Sequence, residues 1–203
     1  MSHGTGRIVR GNRIRCIAMG QILKSKSLEL RVLSQDDYDS LRRINPCDEY
    51  YLMVGSSSVE SIFENDEKFE TAFSELLGKE NHWQVYRDSE IIGIAFLHSI
   101  DLNDKRARYA VGIYNKKNWN KGYGQEISDT VLNYSFKTLD LHRIDLRVLA
   151  YNKRAIASYQ KSGFVQEGVL RENAFINSVW HDDIVMSILS HEYSTFNVKQ
   201  GKI

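Results

Sequence analysis

The sequence predicts an α/β fold in which a mixed, mostly antiparallel sheet of six to seven strands has helices on both faces. Three observations predict it. Segments whose apolar residues alternate every second position, typical of half-buried strands, recur along the 203-residue chain. Segments with helical spacing separate several of them, and short turns join the others. The predicted order is β-α-α-β-β-β-α-β-α-β-β, and a chain of this length fits one domain with a sizeable core.

The first third of the chain predicts one strand and two helices. "SLELRVLS" (27–34) has the two-residue period of the first strand. Ser34 is a suitable N-cap for the first helix, which ends before Pro46, the only proline. The second helix is predicted over 56–78, because its apolar residues have helical spacing and a glycine can close it. We expect the connecting segment "CDEYYLMVGSSS" (47–58) to be a loop that contributes to acceptor choice.

The remainder of the chain predicts six strands and two helices. "EIIGIAFLHSI" is apolar on both faces, so we place it inside the sheet. "HRIDLRVLA" alternates strictly, and the helix before it repeats apolar residues every three to four positions. The last two strands form a closing antiparallel pair. The predicted strands are 82–88, 90–100, 106–115, 142–150, 164–173 and 179–189, and the helices are 121–138 and 152–163.

The first 26 residues differ in composition from the rest. They contain six basic residues and no acid: Arg7, Arg10, Arg13, Arg15, Lys24 and Lys26. Subtracting these from the 27 basic residues leaves 21 against 26 acidic ones, a formal charge of −5 for the body of the chain. We predict a basic leader over 1–26, a folded domain over 27–193 and a tail over 194–203. A disordered or cloning-derived leader is favoured over a nucleic-acid arm, a membrane arm or a targeting peptide.

Composition argues against several functional classes. A mildly acidic body lacks the clustered Lys and Arg that neutralise phosphates, so a nucleic-acid partner is not expected. The apolar run Ile91–Leu97 is too short to cross a bilayer, so no membrane partner is expected. The only cysteines are Cys16 and Cys47, without a CxxC pair or a His cluster at ligand spacing. We therefore expect no disulfide framework, no metal and a cytoplasmic location.

The stretch "NWNKGYGQE" (118–126) lies between a predicted strand and a predicted helix. It is not a Walker loop, which requires GxxxxGK[ST], because Gln125 follows Gly124. It is not a dinucleotide fingerprint, because Ile127 occupies the position of the third glycine. A GxG turn that opens a helix remains. Its free backbone N–H groups and the positive end of the helix dipole can receive a diphosphate.

A second motif follows about thirty residues later, in "YNKRAIASYQKSGF" (151–164). It has the spacing N-x-x-A-x-x-x-Y-x-x-x-G-F, through Asn152, Ala155, Tyr159, Gly163 and Phe164. Together with "WNKGYG" (119–124) and "FINSVWHDD" (175–183), it makes region 106–189 resemble the GNAT superfamily of N-acetyltransferases, in its ribosomal-protein-alanine and spermidine acetyltransferase branch. Trp119 replaces the Gln or Arg that usually opens the family loop Q/R-x-x-G-x-G/A. The first half of the chain is similar only in its order of elements.

The resemblance implies that acetyl-CoA is the co-substrate and that the parallel strands 106–114 and 142–150 are splayed to admit its pantetheine arm. The implied coenzyme contacts are Val111, Gly112, Ile113, Trp119, Asn120, Lys121, Gly122, Tyr123, Gly124, Asn152, Ala155 and Tyr159. Tyr159 matches the position that protonates the leaving thiolate, and a phenol of pKa about 10 can donate at neutral pH. Helix capping by Asn152 and core packing by Tyr159 are the structural alternatives.

The general base and the acceptor remain open. The candidates for the base are His98, Asp101, Glu172 and His181. The candidate acceptor contacts are Asp48, Glu49 and Glu172. We expect a primary amine on a protein N-terminus, a polyamine or other small molecule, or an amino sugar. "GIAFLHSI" lacks the glutamate that the spermidine branch carries after its glycine, which disfavours a polyamine.

Two other functional classes are consistent with parts of the sequence. The first is a non-catalytic module that binds acyl-CoA and a partner protein. The second is a nucleic-acid binder that uses residues 1–26, and we rank it last. A homodimer typical of the family is a further expectation.

Overall fold

The computed structural model describes residues 22–55, 63 and 65–199. The strands are β1 Leu23–Lys24, β2 Glu29–Val32, β3 His82–Arg87, β4 Glu90–Asp101, β5 Arg106–Ile113, β6 Arg143–Leu149, β7 Val165–Ile176 and β8 Val179–Leu189. The helices are α1 Tyr38–Arg42, α2 Asp48–Val54, α3 Asp66–Leu76, α4 Tyr123–Lys137, α5 Lys153–Lys161 and α6 Ser190–Lys199.

The described strands form one eight-stranded sheet in the order β1-β2-β3-β4-β5-β6-β8-β7. Neighbouring strands are antiparallel except β5 and β6, which are parallel. The predicted mixed, mostly antiparallel sheet is therefore confirmed, with one strand more than expected.

Two apolar clusters cover the two faces of the sheet. In the larger one, α4 presents Ile127 and Val131, which are fully buried, to the strands. Its strand residues include Ile144 and Leu146, which share a face with Val148, as the alternation in the sequence predicts. The smaller cluster packs Phe69 and Phe73 of α3, with the residues around α1, against the opposite face. Its other members are Leu33, Leu41, Tyr86, Ile91 and Tyr114.

The ends of the folded unit differ from the predicted domain boundaries. Leu23 pairs with Leu30 of β2, so the sheet begins inside the segment assigned to the leader. Ser25 and Ser27 then hydrogen-bond the Glu126 carboxylate, which ties this segment to α4. Residues 1–21 lie outside the described residues. At the other end, α6 starts before residue 194 and continues into the predicted tail.

The segment 47–58, expected to be a loop, contains helix α2. Its first turn carries Asp48 and Glu49, which complement the helix dipole, and Gly55 ends it with φ of 77°. The expected helix over 56–78 is shorter: α3 starts after Asn65, whose side chain accepts a hydrogen bond from the Lys68 N–H at 2.9 Å. Residues 56–62 and 64, including the start of that predicted helix, lie outside the described residues.

No helix in the described part of the chain combines the length and apolar character needed to span a bilayer.

Candidate active site

The parallel ladder between β5 and β6 stops after three residue pairs, the last of which joins Arg108 to Asp145. Both strands continue, but no further pairing between them follows. β5 remains paired with β4 up to Ile113, and β6 with β8 up to Leu149. The two halves of the sheet therefore diverge and leave a wedge-shaped opening, closed at Arg108 and Asp145. The predicted splay of this strand pair is present.

Strand alternation determines which backbone groups face the opening. The Tyr114 N–H donates to the Ile92 carbonyl of β4 at 3.0 Å. The register between β4 and β5 is regular there, so every second residue before Tyr114, including Gly112, also directs its amide towards β4. The amides of Val111 and Ile113 face β6 across the opening. The sequence-based assignment of a coenzyme contact to the Gly112 amide is thereby corrected.

Gly112 has a steric role instead. A Cβ atom at this position would lie 2.8 Å from Cε2 and 3.0 Å from the hydroxyl oxygen of Tyr50 on α2. A Cβ at Gly93 would lie 2.3 Å from the Gly112 carbonyl oxygen. Both glycines thus permit close approach, and α2 lies directly against β5 beside the opening. Sequence reasoning missed Tyr50 because it treated its segment as a loop.

The loop after β5 presents consecutive unpartnered amides. Gly122 is the N-cap of α4 with φ of 84°, and Asn120 has φ of 59°, both in the left-handed region. In the described part of the chain, the amides of residues 120–125 have no acceptor; the Glu126 N–H is the first to bond, to the Gly122 carbonyl at 3.0 Å. We call residues 120–125 the amide cradle. Free amides at the start of a 15-residue helix can bind an anion.

The flanking positions of the cradle have distinct roles. Lys121 and Gly122 are exposed, which leaves the cradle accessible. The Tyr123 side chain is buried in the larger cluster. A Cβ at Gly124 would lie 3.1 Å from the Ser158 hydroxyl oxygen, so this glycine permits α5 to approach the start of α4.

Asn152 joins three elements beside the opening. Its side-chain oxygen accepts from the Ala155 N–H at 3.1 Å, which caps α5. Its amide nitrogen donates to the Met53 carbonyl of α2 at 3.2 Å. Both polar atoms of this buried side chain are therefore occupied within the protein. The capping alternative is present, and a pantetheine contact would have to use the second amide hydrogen or the second lone pair of the side-chain oxygen.

Tyr159 is buried on the α5 side of the sheet, 7% exposed. Its ring packs edge-on to Phe164 at 5.7 Å and to Tyr109 at 6.4 Å between centroids. Burial raises the pKa of the Tyr159 phenol, so it remains protonated at neutral pH. Its hydroxyl has no hydrogen-bond partner among the described residues. The core-packing alternative is thus present, but the hydroxyl remains available as a donor.

His98 lies on the opposite face of the sheet, beside the closed end of the opening. It pairs across β4 and β5 with Arg108, whose guanidinium bonds Asp145 at 2.7 Å. Burial and, next, the Arg108 charge lower the pKa of His98, while Asp145 opposes them. The imidazole is therefore neutral at pH 7 and able to accept a proton.

Of the other candidate bases, Asp101 and His181 have structural partners. Asp101 accepts from the amides of Asn103 and Asp104, both at 2.9 Å, and so closes the turn after β4. The His181 ring packs edge-on to Tyr151 at 5.0 Å. Glu172 is exposed at a bulge in β7, with φ of 51°. None of these three residues is both free of such a contact and located beside the closed end of the opening.

The three candidate acceptor contacts lie on two elements, α2 and β7. Glu49, in the first turn of α2, is bonded to Lys116, and this hydrogen bond lowers the pKa of Glu49. Asp48 is exposed on the same turn, and Glu172 lies on β7. Across the residues that the structure describes, no group of three His, Cys, Asp or Glu side chains is placed to hold a metal ion.

Comparison with known proteins assigns the family. Residues 27–165 match the family model described as Acetyltransferase (GNAT) domain. A spermidine N(1)-acetyltransferase of Escherichia coli strain K12 is 30% identical over 173 residues, covering 82% of this chain and 88% of that protein. An uncharacterized N-acetyltransferase of Bacillus subtilis is 28% identical over 176 residues, covering 84% and 98%. The crystal structure of spermidine N-acetyltransferase from Vibrio cholerae in complex with CoA and spermine has a TM-score of 0.70 and 27% identity, covering 83% and 98%.

The chain belongs to the GNAT acetyltransferase family. It is an N-acetyltransferase, and acetyl-CoA is its co-substrate. The fold, the enzyme class and the coenzyme predicted from the sequence are confirmed.

Proposed function

We propose that the enzyme transfers the acetyl group directly to a primary amine in a ternary complex, with the thioester held in the opening between β5 and β6. The observation that carries the proposal is the early stop of the β5–β6 ladder at Arg108 and Asp145. It leaves backbone donors free between the amide cradle and the two titratable side chains His98 and Tyr159.

The coenzyme would bind through main-chain groups. The amide cradle receives its diphosphate, and the amides of Val111 and Ile113 bond the pantetheine arm and the thioester carbonyl. An amide directed at the carbonyl oxygen stabilises the negative charge that develops when the amine attacks. Holding both reactants in one opening lowers the barrier by several kcal/mol, on the order of the entropy of bringing them together.

Two proton transfers complete the reaction. His98 takes the proton of the attacking ammonium, directly or through water, and the nitrogen forms its bond to the carbonyl carbon. The carbon–sulfur bond then breaks, and Tyr159 donates its proton to the departing thiolate. His98 and Tyr159 lie on opposite faces of the sheet, which suits an acceptor and a coenzyme that approach from opposite sides.

We propose that the acceptor is a single primary amine, on a small molecule or a peptide N-terminus, rather than an extended polycation. The carboxylates of Glu49 and Asp145 are already bonded to Lys116 and Arg108. The strand "GIAFLHSI" on β4 contains no acid. A polyamine needs several free carboxylates close together. Glu49 and Asp145 are paired, and the exposed Asp48 and Glu172 lie on different elements, α2 and β7.

Thiol release from acetyl-CoA, measured over monoamines, peptides, aminoglycosides and spermidine, tests the proposal. We expect monoamines or peptides to react fastest. Tyr159→Phe should lower kcat by about 10²-fold or more and leave acetyl-CoA affinity unchanged. Tyr109→Phe is the matched control, because this buried hydroxyl lies 3.2 Å from the Ser128 hydroxyl instead.

Three results would contradict the proposal. If no amine of the panel causes thiol release from acetyl-CoA, the proposed acetyl transfer to a primary amine is contradicted. Equal effects of Tyr159→Phe and Tyr109→Phe would remove Tyr159 as the acid. Fastest turnover of spermidine would overturn the choice of acceptor.

A further inference from the structure

Trp119 and Arg154 meet at the mouth of the opening. The Arg154 guanidinium carbon, from the first turn of α5, lies 3.5 Å from the centroid of a Trp119 ring. The indole N–H of Trp119 donates to the Ile113 carbonyl at the end of β5, at 2.9 Å. Trp119 is also the residue immediately before the amide cradle. The stacked pair therefore connects α5, the end of β5 and the start of the cradle.

Arg154 is a half-buried cation without a counter-ion. Among the residues that the structure describes, no carboxylate lies within ion-pair distance of its guanidinium. Burial lowers the pKa of Arg154, and the neighbouring Cys47 opposes this. A partly desolvated cation without an anionic partner is unfavourable, and a bound anion would relieve that cost.

Arg87, a second arginine beside the cradle, shows the contrast. Its guanidinium carbon lies 5.2 Å from the Tyr123 ring centroid, and it forms an ion pair with Asp88 at 3.4 Å. The two arginines thus contact two aromatic residues of the same loop, Trp119 before the cradle and Tyr123 within it. Of these two arginines, Arg154 is the one without a carboxylate partner among the described residues, so its charge is free for a ligand.

We propose that Arg154 binds the diphosphate of the coenzyme and supplies the positive charge that Trp119 cannot provide at the start of the loop. This inference rests on the proposed function, in which the cradle receives that diphosphate. A guanidinium stacks on an indole face and can still direct its N–H groups at phosphate oxygens. The stack restricts the side chain beforehand, so less rotamer freedom is lost when the phosphate binds.

The test compares the affinities of three probes for Arg154→Met by calorimetry. Acetyl-CoA and 3′-dephospho-CoA carry the diphosphate, whereas pantetheine does not. We expect Arg154→Met to weaken both coenzymes by about tenfold to a hundredfold, the range for hydrogen bonds to charged groups, and to leave pantetheine binding unchanged. Lys153→Met, an exposed neighbour that removes the same charge, should change each Kd by less than about threefold.

Further readouts separate a ligand contact from a structural role. The Kd of acetyl-CoA should depend less on salt in Arg154→Met than in the wild type, because one phosphate contact is lost. Arg154→Lys, which keeps the charge but not the planar fork, should have intermediate affinity. Equal thermal unfolding midpoints for Arg154→Met and Lys153→Met would show that the fold is intact.

Each contrary result overturns the inference in a recognisable way. Unchanged acetyl-CoA affinity in Arg154→Met removes the contact. If Arg154→Met weakens pantetheine binding as much as acetyl-CoA binding, Arg154 has only a general packing role. If Arg154→Met leaves the Kd of 3′-dephospho-CoA unchanged but weakens acetyl-CoA, Arg154 contacts the 3′-phosphate instead of the diphosphate. Absence of acetyl-CoA binding by the wild type would instead contradict the proposed function itself.

Discussion

The two ends of the β5–β6 strand pair are held in different ways. At the closed end, main-chain pairing and the Arg108–Asp145 ion pair join the strands, and the Asp145 side chain is only 14% exposed. At the open end, helices lie beside the strands: Tyr50 of α2 packs on Gly112, and Asn152 ties α5 to α2. The backbone groups between these two ends are left for a ligand.

The difference shows how a sheet can be opened without losing its stability. Each strand keeps a full antiparallel partner on its outer side, so the lost ladder removes few hydrogen bonds. The open end depends on side-chain packing, which tolerates changes of volume poorly. The closed end depends on main-chain hydrogen bonds and on the largely buried Arg108–Asp145 ion pair.

The largest expected effect concerns chemistry at the closed end. His98→Gln should lower kcat by about 10²-fold, because it removes the proposed base, and should leave acetyl-CoA affinity unchanged. Burial places the pKa of His98 below its usual 6.5, and a base works only when neutral. The wild-type kcat should therefore fall as the pH drops through that lowered pKa.

Rate measurements between about pH 5 and 8 at saturating acetyl-CoA check this prediction, since histidine titrates in that range. His98→Gln should lack the acidic limb of the profile. Asp101→Asn, which alters the turn after β4 and a weak ion pair with Arg106, is the control and should retain it. An unchanged profile in His98→Gln would exclude His98 as the base.

The next effect concerns packing at the open end. Gly112→Ala should destabilise the protein by about 1–3 kcal/mol, because the new methyl group overlaps the Tyr50 ring. Urea unfolding of the variant measures the loss. Tyr50→Ala removes the overlapping ring, so the double variant should be more stable than the sum of the two single changes predicts. If the unfolding free-energy changes of the two single variants add up to that of the double variant, the Tyr50 ring does not overlap a methyl group at position 112.

The smallest effect concerns the polar contacts near the closed end. The Glu167 carboxylate accepts from Arg143 at 2.5 and 2.7 Å and from Ser187 at 2.8 Å. The Arg143 hydrogen bonds, with Ser187, lower the pKa of Glu167 to about 2. The ionised Glu167 therefore stabilises the folded protein fully above the pKa of about 4.3 that a glutamate has in the unfolded chain. This stabilisation is lost as the pH falls towards 2. Because the Glu167 side chain is 40% exposed, we expect its charge to contribute less than about 1 kcal/mol to the free energy of unfolding.

Unfolding free energies of the wild type and Glu167→Gln, compared at pH 7 and near pH 3, measure this contribution. The difference between the two proteins should narrow at the lower pH. A constant difference would mean that the loss does not arise from the charge of Glu167.

Local patterns in the sequence were sufficient for most of the sheet and for the cradle. Period-two segments such as 142–150 became strands with Ile144 and Leu146 buried, because alternation and one-sided burial determine each other. The GxG turn at Gly122 predicted a helix start with free amides, which depends only on the backbone around it. The fold class and the location of the amide cradle could therefore be predicted from residues near one another in the chain.

The remaining features depend on residues far apart in the chain. The direction of the Gly112 amide follows from its register with β4, and the need for a glycine there follows from Tyr50, 62 positions earlier. The lowered pKa of His98 depends on its burial and on the nearby Arg108 charge. The Arg154 guanidinium stacks against Trp119, 35 positions earlier in the chain. Burial, register and charge pairing arise only when distant segments meet. The sequence alone thus determined the family, most of the elements in their order and the amide cradle. The tertiary structure added β1, α2 and α6 and decided which side chains of the site are free to act.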